Sequence, residues 1–274
     1  MTLPVFELTP GRIALLVSMP HMGTDFPDDL RAPFVPRALD AEDADWHMNQ
    51  LYDFVRQMGA SVLRPHFCRY VIDLNRPPDD APMYPGASNT ELCPTRFFTG
   101  DTLYGEGCAP NAAERAQRRI AYWQPYHDAL AGELQRLVQT HGYALLWDAH
   151  SIRSAIPWLF EGTLPALNIG TASGDSAHAA IAQAVMQVCV SAERFSHVLN
   201  GRFKGGYITR HYGRPAQNVH ALQLEMCQNL YMQEAPPFAF DTALATQVQP
   251  ILGAMLQSAL AAADTLYSGG NHGH

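Results

Sequence analysis

The 274-residue chain has little charge, few cysteines and no long apolar run. Charged residues make up 16% of it, with 18 lysines and arginines against 26 aspartates and glutamates. The formal net charge of −8 disfavours non-specific binding to nucleic acid. The longest apolar run lies around residues 13–17, and a membrane helix needs about 20 such residues. We therefore expect neither a nucleic-acid partner nor a membrane partner.

The cysteines and the N-terminus point to the cytoplasm. Five cysteines is an odd number, and no two of them form a Cys-x-x-Cys pair, so a disulfide framework or a zinc finger is not expected. Residues 1–11 lack the basic and then apolar pattern of a secretory signal. Without a repeat or a linker, residues 1–267 are predicted to form one catalytic domain, and residues 268–274 a disordered tail.

Apolar periodicity predicts an α/β fold. Short apolar runs predict strands over 13–18, 61–63, 70–74, 143–147 and 221–226. Helical spacing predicts helices over 43–58, 112–140, 176–191 and 240–266, with an irregularity at Pro125. Strands that alternate with helices at uneven spacing predict a three-layer sandwich around a central mixed β-sheet. Residues 76–110 are predicted to form a long loop, which is often functional.

Polar side chains follow several predicted strands, at the edge where α/β proteins bind ligands. The residues that follow strands are His21, Asn75, Arg76 and His150, and Glu225 lies near the end of the predicted strand over 221–226. The predicted helix over 43–58 adds Asp43, Asp45 and His47. Sequences typical of serine hydrolases (GxSxG), P-loop enzymes (GxxxxGK[ST]), zincins (HExxH) and dinucleotide-binding proteins (GxGxxG) do not occur.

Two histidines and a carboxylate from separate elements are what a catalytic zinc site needs, because three protein ligands leave a position for water. The metal lowers the pKa of that water to about 7, and a further carboxylate can move its proton. Asp148 flanks His150, and metal-bound histidines commonly donate to a carboxylate. A single histidine after a strand is nevertheless more often a loop or capping residue. Glu225 in an apolar strand is either functional or an ion-pair partner, since an unpaired buried carboxylate is costly. Asp73 is expected to be structural.

Six segments carry a resemblance to a known family. They are residues 20–24, 45–54, 69–78, 122–127, 146–154 and 200–213, within a span of about 13–233. In these segments the chain resembles the N-formylglutamate deformylases, also called N-formylglutamate amidohydrolases, of histidine degradation. The resemblance implies hydrolysis of N-formyl-L-glutamate to formate and L-glutamate. It also implies kinship with zinc carboxypeptidases and aspartoacylases, whose fold is a mixed sheet between helices.

The resemblance also implies roles for particular residues. His21, Asp45 and His150 would hold Zn²⁺, with Asp25 or His47 as alternatives to Asp45, and Glu225 would be the general base. Arg76 with Asn75 would bind one carboxylate of the substrate. Arg153, Lys204 and Arg210 are the candidates for the second carboxylate of this small dicarboxylate. Cobalt, manganese or iron can share such ligands with zinc.

Two other functions stay open at this point. The same metal core would serve a hydrolase of another N-acyl amino acid, and a non-catalytic relative would only bind a small acid. We expect a monomer or a small homo-oligomer.

Overall fold

The computed structural model describes residues 3–83 and 90–268. Residues 269–274 of the predicted tail lie outside the described residues, and Ser268 ends the last helix. Within these two ranges the chain forms seven strands: β1 (Phe6–Thr9), β2 (Leu15–Ser18), β3 (Ser61–Pro65), β4 (Ala144–Ile152), β5 (Leu167–Gly170), β6 (His197–Leu199) and β7 (Val219–Cys227). The α-helices are α1 (Met48–Leu51), α2 (Phe54–Met58), α3 (Ala112–Arg118), α4 (Gln124–His141), α5 (Ala179–Ser191), α6 (Tyr207–Tyr212) and α7 (Thr242–Ser268).

The strands form one mixed sheet in the order β1-β3-β2-β4-β7-β5-β6. Strands β3, β2, β4 and β7 are parallel neighbours, whereas β1 and β5 run antiparallel to β3 and β7. The pairing of β2 with β4 ends at Ser18 and Asp148, and β4 continues beside β7 to Ile152. The carboxyl ends of β4 and β7 therefore project beyond β2 and form the floor of a cleft.

Side chains alternate between two cores on opposite faces of the sheet. Leu15, Val17 and Trp147 pack on the face covered by α5 and α7, whereas Leu16 and Leu146 pack on the face covered by α4. Because successive strand residues point to opposite faces, a strand buried on both faces needs the continuous apolar run seen in the sequence. The predicted three-layer α/β sandwich with a central mixed sheet is confirmed.

The segment that joins α3 to α4 is a π-helical turn over Arg119–Trp123. It lies just before Pro125, so the irregularity predicted at this place in the helix is present. Within the described residues, no helix is both long enough and apolar enough to cross a membrane.

Two predicted elements are wrong. Residues 70–74 form turns instead of a strand. They are apolar because Tyr70 packs into one core and Ile72 into another, without pairing in the sheet. The predicted helix over 43–58 is reduced to α1 and α2, because His47 has a left-handed backbone with φ of 60° that a helix does not accommodate. Asp43 and Asp45 therefore lie in the loop before α1.

Candidate metal centre

Three buried side chains from separate parts of the chain converge at the carboxyl edge of the sheet. One ligand atom from each of His21, Asp45 and His150 lies within 4.8 Å of the others. His21 follows β2 and accepts the Asp45 backbone N–H at its carbonyl oxygen (2.9 Å). The Asp45 carboxylate accepts the backbone N–H of Ser151 at 3.1 Å, which ties the loop before α1 to strand β4.

The Nδ1 atoms of both histidines face the same point. His150 Nδ1 lies 3.2 Å from His21 Nδ1 and 3.3 Å from Asp45 Oδ2, and His21 Nδ1 lies 3.9 Å from Asp45 Oδ2. Two imidazole nitrogens and one carboxylate oxygen make up the donor set that catalytic zinc sites use. The donor set therefore fits a divalent metal ion.

The other nitrogen of each histidine faces a buried aspartate. His21 Nε2 lies 2.7 Å from Asp73 Oδ1, and His150 Nε2 lies 3.1 Å from Asp148 Oδ1. Metal-bound histidines commonly have such carboxylate partners, which hold the ring orientation and the tautomer. Asp73 and Asp148 are fully buried, so these contacts are screened little by solvent.

The charges around Asp73 explain how a buried carboxylate stays ionised. Burial alone would raise the pKa of Asp73, but Arg69 and His21 hold that pKa well below its usual range. Arg69 Nη2 donates to Asp73 Oδ2 at 2.6 Å. Burial disfavours the Arg69 charge, yet Asp73 and Asp45 raise the pKa of Arg69, so it stays cationic.

Glu225 lies directly opposite His150 in the pairing of β4 with β7. Burial raises the pKa of Glu225 to about 8, and His150 partly offsets this effect. A divalent cation at the three ligand atoms would lower this pKa again. Gln223 Nε2 donates to Glu225 Oε2 at 3.4 Å, and Gln223 Oε1 accepts the Gly206 N–H at 2.7 Å. Glu225 is thus buried beside the three ligand atoms, where a base for an attacking water is needed.

Asn75 links the cluster to α6. The backbone N–H of Ile208 donates to Asn75 Oδ1 at 2.8 Å, so Asn75 Nδ2 faces Asp148 Oδ2 at 3.4 Å. Gly206 permits this packing, because a Cβ at this position would lie 2.4 Å from Asn75 Nδ2. The Asn75 amide is therefore held by contacts on both sides.

A cavity of about 350 Å³ opens over the cluster. Its polar lining includes His21, Asn75, His150, Gln223 and Glu225. Its apolar wall is formed by Phe98, Ile152, Leu159 and Phe203. A small pocket with convergent polar groups and an apolar wall is typical of small-molecule sites.

Among the residues that the structure describes, four cations line this cavity: Arg69, Arg76, Arg202 and Lys204. Arg76 is held on the wall by hydrogen bonds from Nε to Thr90 O (3.0 Å) and from Nη1 to Asn75 O (2.9 Å). The guanidinium carbon of Arg69 lies 4.8 Å from the centre of the Phe98 ring, and that of Arg202 lies 5.3 Å from the centre of the Phe160 ring.

The structure separates the three cations predicted for the second carboxylate. Among the residues described, Lys204 lines the cavity, whereas Arg153 and Arg210 do not. Arg153 Nη2 instead pairs with Asp43 Oδ1 at 2.5 Å, and Arg210 Nε donates to Gly205 O at 2.7 Å. Arg153 and Arg210 are therefore held by partners outside the cavity lining, and the role of all three cations in substrate binding stays a prediction.

The two alternative ligands are placed apart from the cluster. Asp25 is exposed and pairs through its backbone with Phe67. His47 Nε2 lies 2.7 Å from the Phe238 carbonyl oxygen. In the described part of the chain, only His21, Asp45 and His150 form a group that could hold a metal ion. Their role as ligands stays a prediction.

Sequence reasoning missed Arg69 and Arg202 as residues of the site. Arg69 had a signal, because it begins the segment 69–78 that carries the family resemblance. The sequence signal for Arg202 is weaker: it shares the glycine-containing segment 200–213 with Lys204. The cations that line the cavity come from these two segments, which are brought together only by the tertiary structure.

Residues 13–232 match the model of a protein family described as N-formylglutamate amidohydrolase. The chain belongs to this family. The match spans every residue assigned above to the cluster and to the cavity lining.

Individual relatives agree with the family match. The chain is 51% identical over 257 residues to the N-formylglutamate deformylases of Pseudomonas putida and Pseudomonas aeruginosa, covering 94% of this chain and 96% of each relative. Its fold is similar to the crystal structure of N-formylglutamate amidohydrolase from Ralstonia eutropha JMP134, with a TM-score of 0.80 and 24% identity. That similarity covers 97% of this chain and 99% of the other. The gene product Atu2144 from Agrobacterium tumefaciens has a similar fold, with a TM-score of 0.69 and 17% identity over 93% and 95% of the two chains.

Proposed function

We propose that this protein is a zinc-dependent amidohydrolase that converts N-formyl-L-glutamate and water to formate and L-glutamate. The observation that carries the proposal is the His21–Asp45–His150 cluster, with Glu225 beside it at the base of a cation-lined cavity. Family membership and the names of the Pseudomonas relatives support the choice of substrate.

His21 Nδ1, Asp45 Oδ2 and His150 Nδ1 would hold the metal ion. A bound Zn²⁺ would supply a water of lowered pKa and a Lewis acid for the formyl carbonyl. Asp73 and Asp148 keep the two rings oriented through their Nε2 atoms. Glu225 is not one of these ligands and is therefore available for proton transfer.

Glu225 takes a proton from the water that attacks the formyl carbon and returns it to the nitrogen of the leaving amine. The C–N bond then breaks, which releases formate and L-glutamate with a free amino group. A divalent cation at the three ligand atoms would favour the ionised form of Glu225 for the first transfer. Burial acts in the opposite direction, so the carboxyl can hold the proton until the second transfer.

The cavity cations have two tasks in this reaction. Arg69 is buried and lines the cavity, so it can stabilise negative charge on the formyl oxygen. Arg76 with Asn75 binds one carboxylate of the substrate, since a guanidinium matches a carboxylate in geometry. Lys204, which lines the cavity together with Arg202, binds the second carboxylate.

The test is formate release from N-formyl-L-glutamate before and after chelation, together with elemental analysis. We expect about one zinc per chain, loss of activity with the chelator and recovery when zinc is returned. N-acetyl-L-aspartate serves as the control substrate and should not be hydrolysed. If the protein contains metal but hydrolyses only another N-acyl amino acid, the proposed substrate is wrong. If it contains no metal and binds glutamate without turnover, the proposal of an enzyme is wrong.

We further propose a single catalytic domain over residues 1–267 that works in the cytoplasm, in histidine degradation, as a monomer or small homo-oligomer. The resemblance to deformylases of that pathway supports the physiological role. Loss of growth on histidine as the nitrogen source after gene deletion would test it, and sedimentation analysis would test the oligomeric state.

A further inference from the structure

The segment over residues 71–78 contains Asp73, Asn75 and Arg76, yet it is not part of the sheet. Four of its carbonyl groups instead accept hydrogen bonds from side chains of the helical stretch over 112–141. The donors and acceptors are Arg118 Nη1 to Val71 O (3.2 Å), His127 Nε2 to Leu74 O (2.9 Å), Trp123 Nε1 to Arg76 O (3.0 Å) and Arg119 Nη1 to Pro78 O (3.3 Å). The outer helix thus provides the donors that a neighbouring strand would otherwise provide.

Two of these donors bracket Asn75. The Leu74 carbonyl belongs to the peptide group that precedes Asn75, and the Arg76 carbonyl belongs to the peptide group that follows Arg76. Asn75 Nδ2 lies 3.0 Å from His150 Nε2, and Asn75 and Arg76 both line the cavity. Trp123 and His127 therefore act on both sides of these two residues.

The two donor rings form one rigid unit. Trp123 and His127 are stacked with their ring centres 3.7 Å apart and 22° between their planes. His127 is buried, which lowers its pKa to about 3. It is therefore neutral at pH 7, with Nε2–H donating to Leu74 O while Nδ1 accepts from the Tyr212 hydroxyl at 2.9 Å.

The helix geometry is irregular at this place. The π-helical turn over Arg119–Trp123 ends at Trp123, and π-helical turns are frequent at functional sites. Arg118 and Arg119 at one end of this turn and Trp123 at the other all donate to the same segment. The turn thus brings these donors to one side of the helix.

We propose that Trp123 and His127 are positioning residues, which hold the peptide groups around Asn75 and Arg76. They thereby keep Asn75 Nδ2 3.0 Å from His150 Nε2 and keep Arg76 on the wall of the cavity. Neither ring lines the cavity in the part of the chain that the structure describes, so both act through the segment that they hold. The kinetic part of this inference rests on the proposed function.

The test uses Trp123→Phe and His127→Phe, each of which keeps an aromatic ring and removes the donor. The matched control is Tyr143→Phe, which removes the hydrogen bond from a buried aromatic side chain to Asp264 at the opposite end of β4. Deuterium exchange over residues 69–78, KM and kcat for N-formyl-L-glutamate, and zinc content are measured on all of them.

We expect faster exchange over residues 69–78 in both test variants and no change in this segment in the control. KM should rise about tenfold with a smaller change in kcat, because misplacement of a binding group weakens substrate binding. Zinc content should stay at the wild-type level. If one test variant does not fold, the other decides the result.

Unchanged exchange in the folded test variants overturns the inference whatever their activity. Faster exchange with unchanged KM and kcat also overturns it, because the contacts are then only structural. If the wild-type protein releases no formate, the proposed function fails. The exchange data and the binding of L-glutamate, measured by calorimetry, then decide the inference separately.

Discussion

His21 Nε2 lies 2.7 Å from Asp73 Oδ1, and the second oxygen of the same carboxylate accepts a hydrogen bond from Arg69 Nη2 at 2.6 Å. One buried carboxylate thus connects a candidate metal ligand to a buried cation of the cavity. Since Asp73 faces Nε2, the Nδ1 atom of His21 is the one that faces Asp45 and His150.

Replacement of Asp73 by Asn should weaken metal affinity about 10- to 100-fold, as is typical when a ligand histidine loses its carboxylate partner. Competition against a chromogenic chelator measures the affinity. Asp25→Asn is the control, because Asp25 is exposed and apart from the cluster. Asp25 is also the alternative to Asp45 as the third ligand. An equal loss of metal affinity in both variants would therefore contradict the assignment of Asp45.

Replacement of Glu225 by Gln should lower kcat by about 10²- to 10⁴-fold, because the amide cannot accept the proton of the attacking water. Zinc content should be unchanged, since Glu225 is outside the proposed ligand set. Glu193→Gln on the exposed surface is the control. A Glu225→Gln protein that works at the wild-type rate would remove the general base from the mechanism.

Lys204→Met should raise KM for N-formyl-L-glutamate about tenfold, because an ion pair with the second carboxylate is lost from the cavity wall. The change in kcat should be smaller, since Lys204 is assigned to binding and not to proton transfer. Steady-state kinetics measure both constants. The same change at the exposed Arg194 should alter neither constant. An unchanged KM in Lys204→Met would contradict the assignment of Lys204 and leave Arg202 as the candidate for the second carboxylate.

Arg153→Met should destabilise the fold, because it leaves the buried Asp43 carboxylate without its ion-pair partner. Breaking a buried pair in this way costs about 3–5 kcal/mol of unfolding free energy. Arg37, which is exposed together with its partner Asp101, is the matched control. Arg37→Met should cost less than about 1 kcal/mol, and chemical denaturation of both variants makes the comparison.

The buried His127 should make stability depend on pH. Its pKa is lowered by burial to about 3, whereas an unfolded chain binds the proton near the ordinary histidine value of about 6.5. The contribution of the neutral, buried His127 to the unfolding free energy is therefore complete above about pH 6.5 and is lost as the pH falls towards 3. Between these values the unfolding free energy of the wild-type protein should fall more steeply than that of His127→Phe, by up to about 1.4 kcal/mol per pH unit. Equal slopes for the two proteins would contradict this account.

The α/β class and the four strands β2, β3, β4 and β7 could be predicted from periodicity alone, whereas β1, β5 and β6 were missed. A continuous apolar run such as the one around Leu16 is required by a strand that is buried on both faces. The same rule failed at residues 70–74, where the apolar side chains are also buried but the backbone bonds to side chains of the outer helix. Burial can be read from composition, whereas the partner of a backbone group depends on packing.

The same distinction between sequence and packing applies to the candidate site. The sequence by itself determined the residue types and their order along the chain: a histidine after one strand, a histidine and a glutamate within two others, and a motif that ends in Asn75 and Arg76. Only the tertiary structure decided which atoms meet. It brought Asp45 to the two histidines, turned Arg153 towards Asp43 and put Lys204 on the cavity wall. The physical reason is that a charged side chain takes its partner from whatever is packed nearby, and here those partners come from segments as much as 110 residues apart.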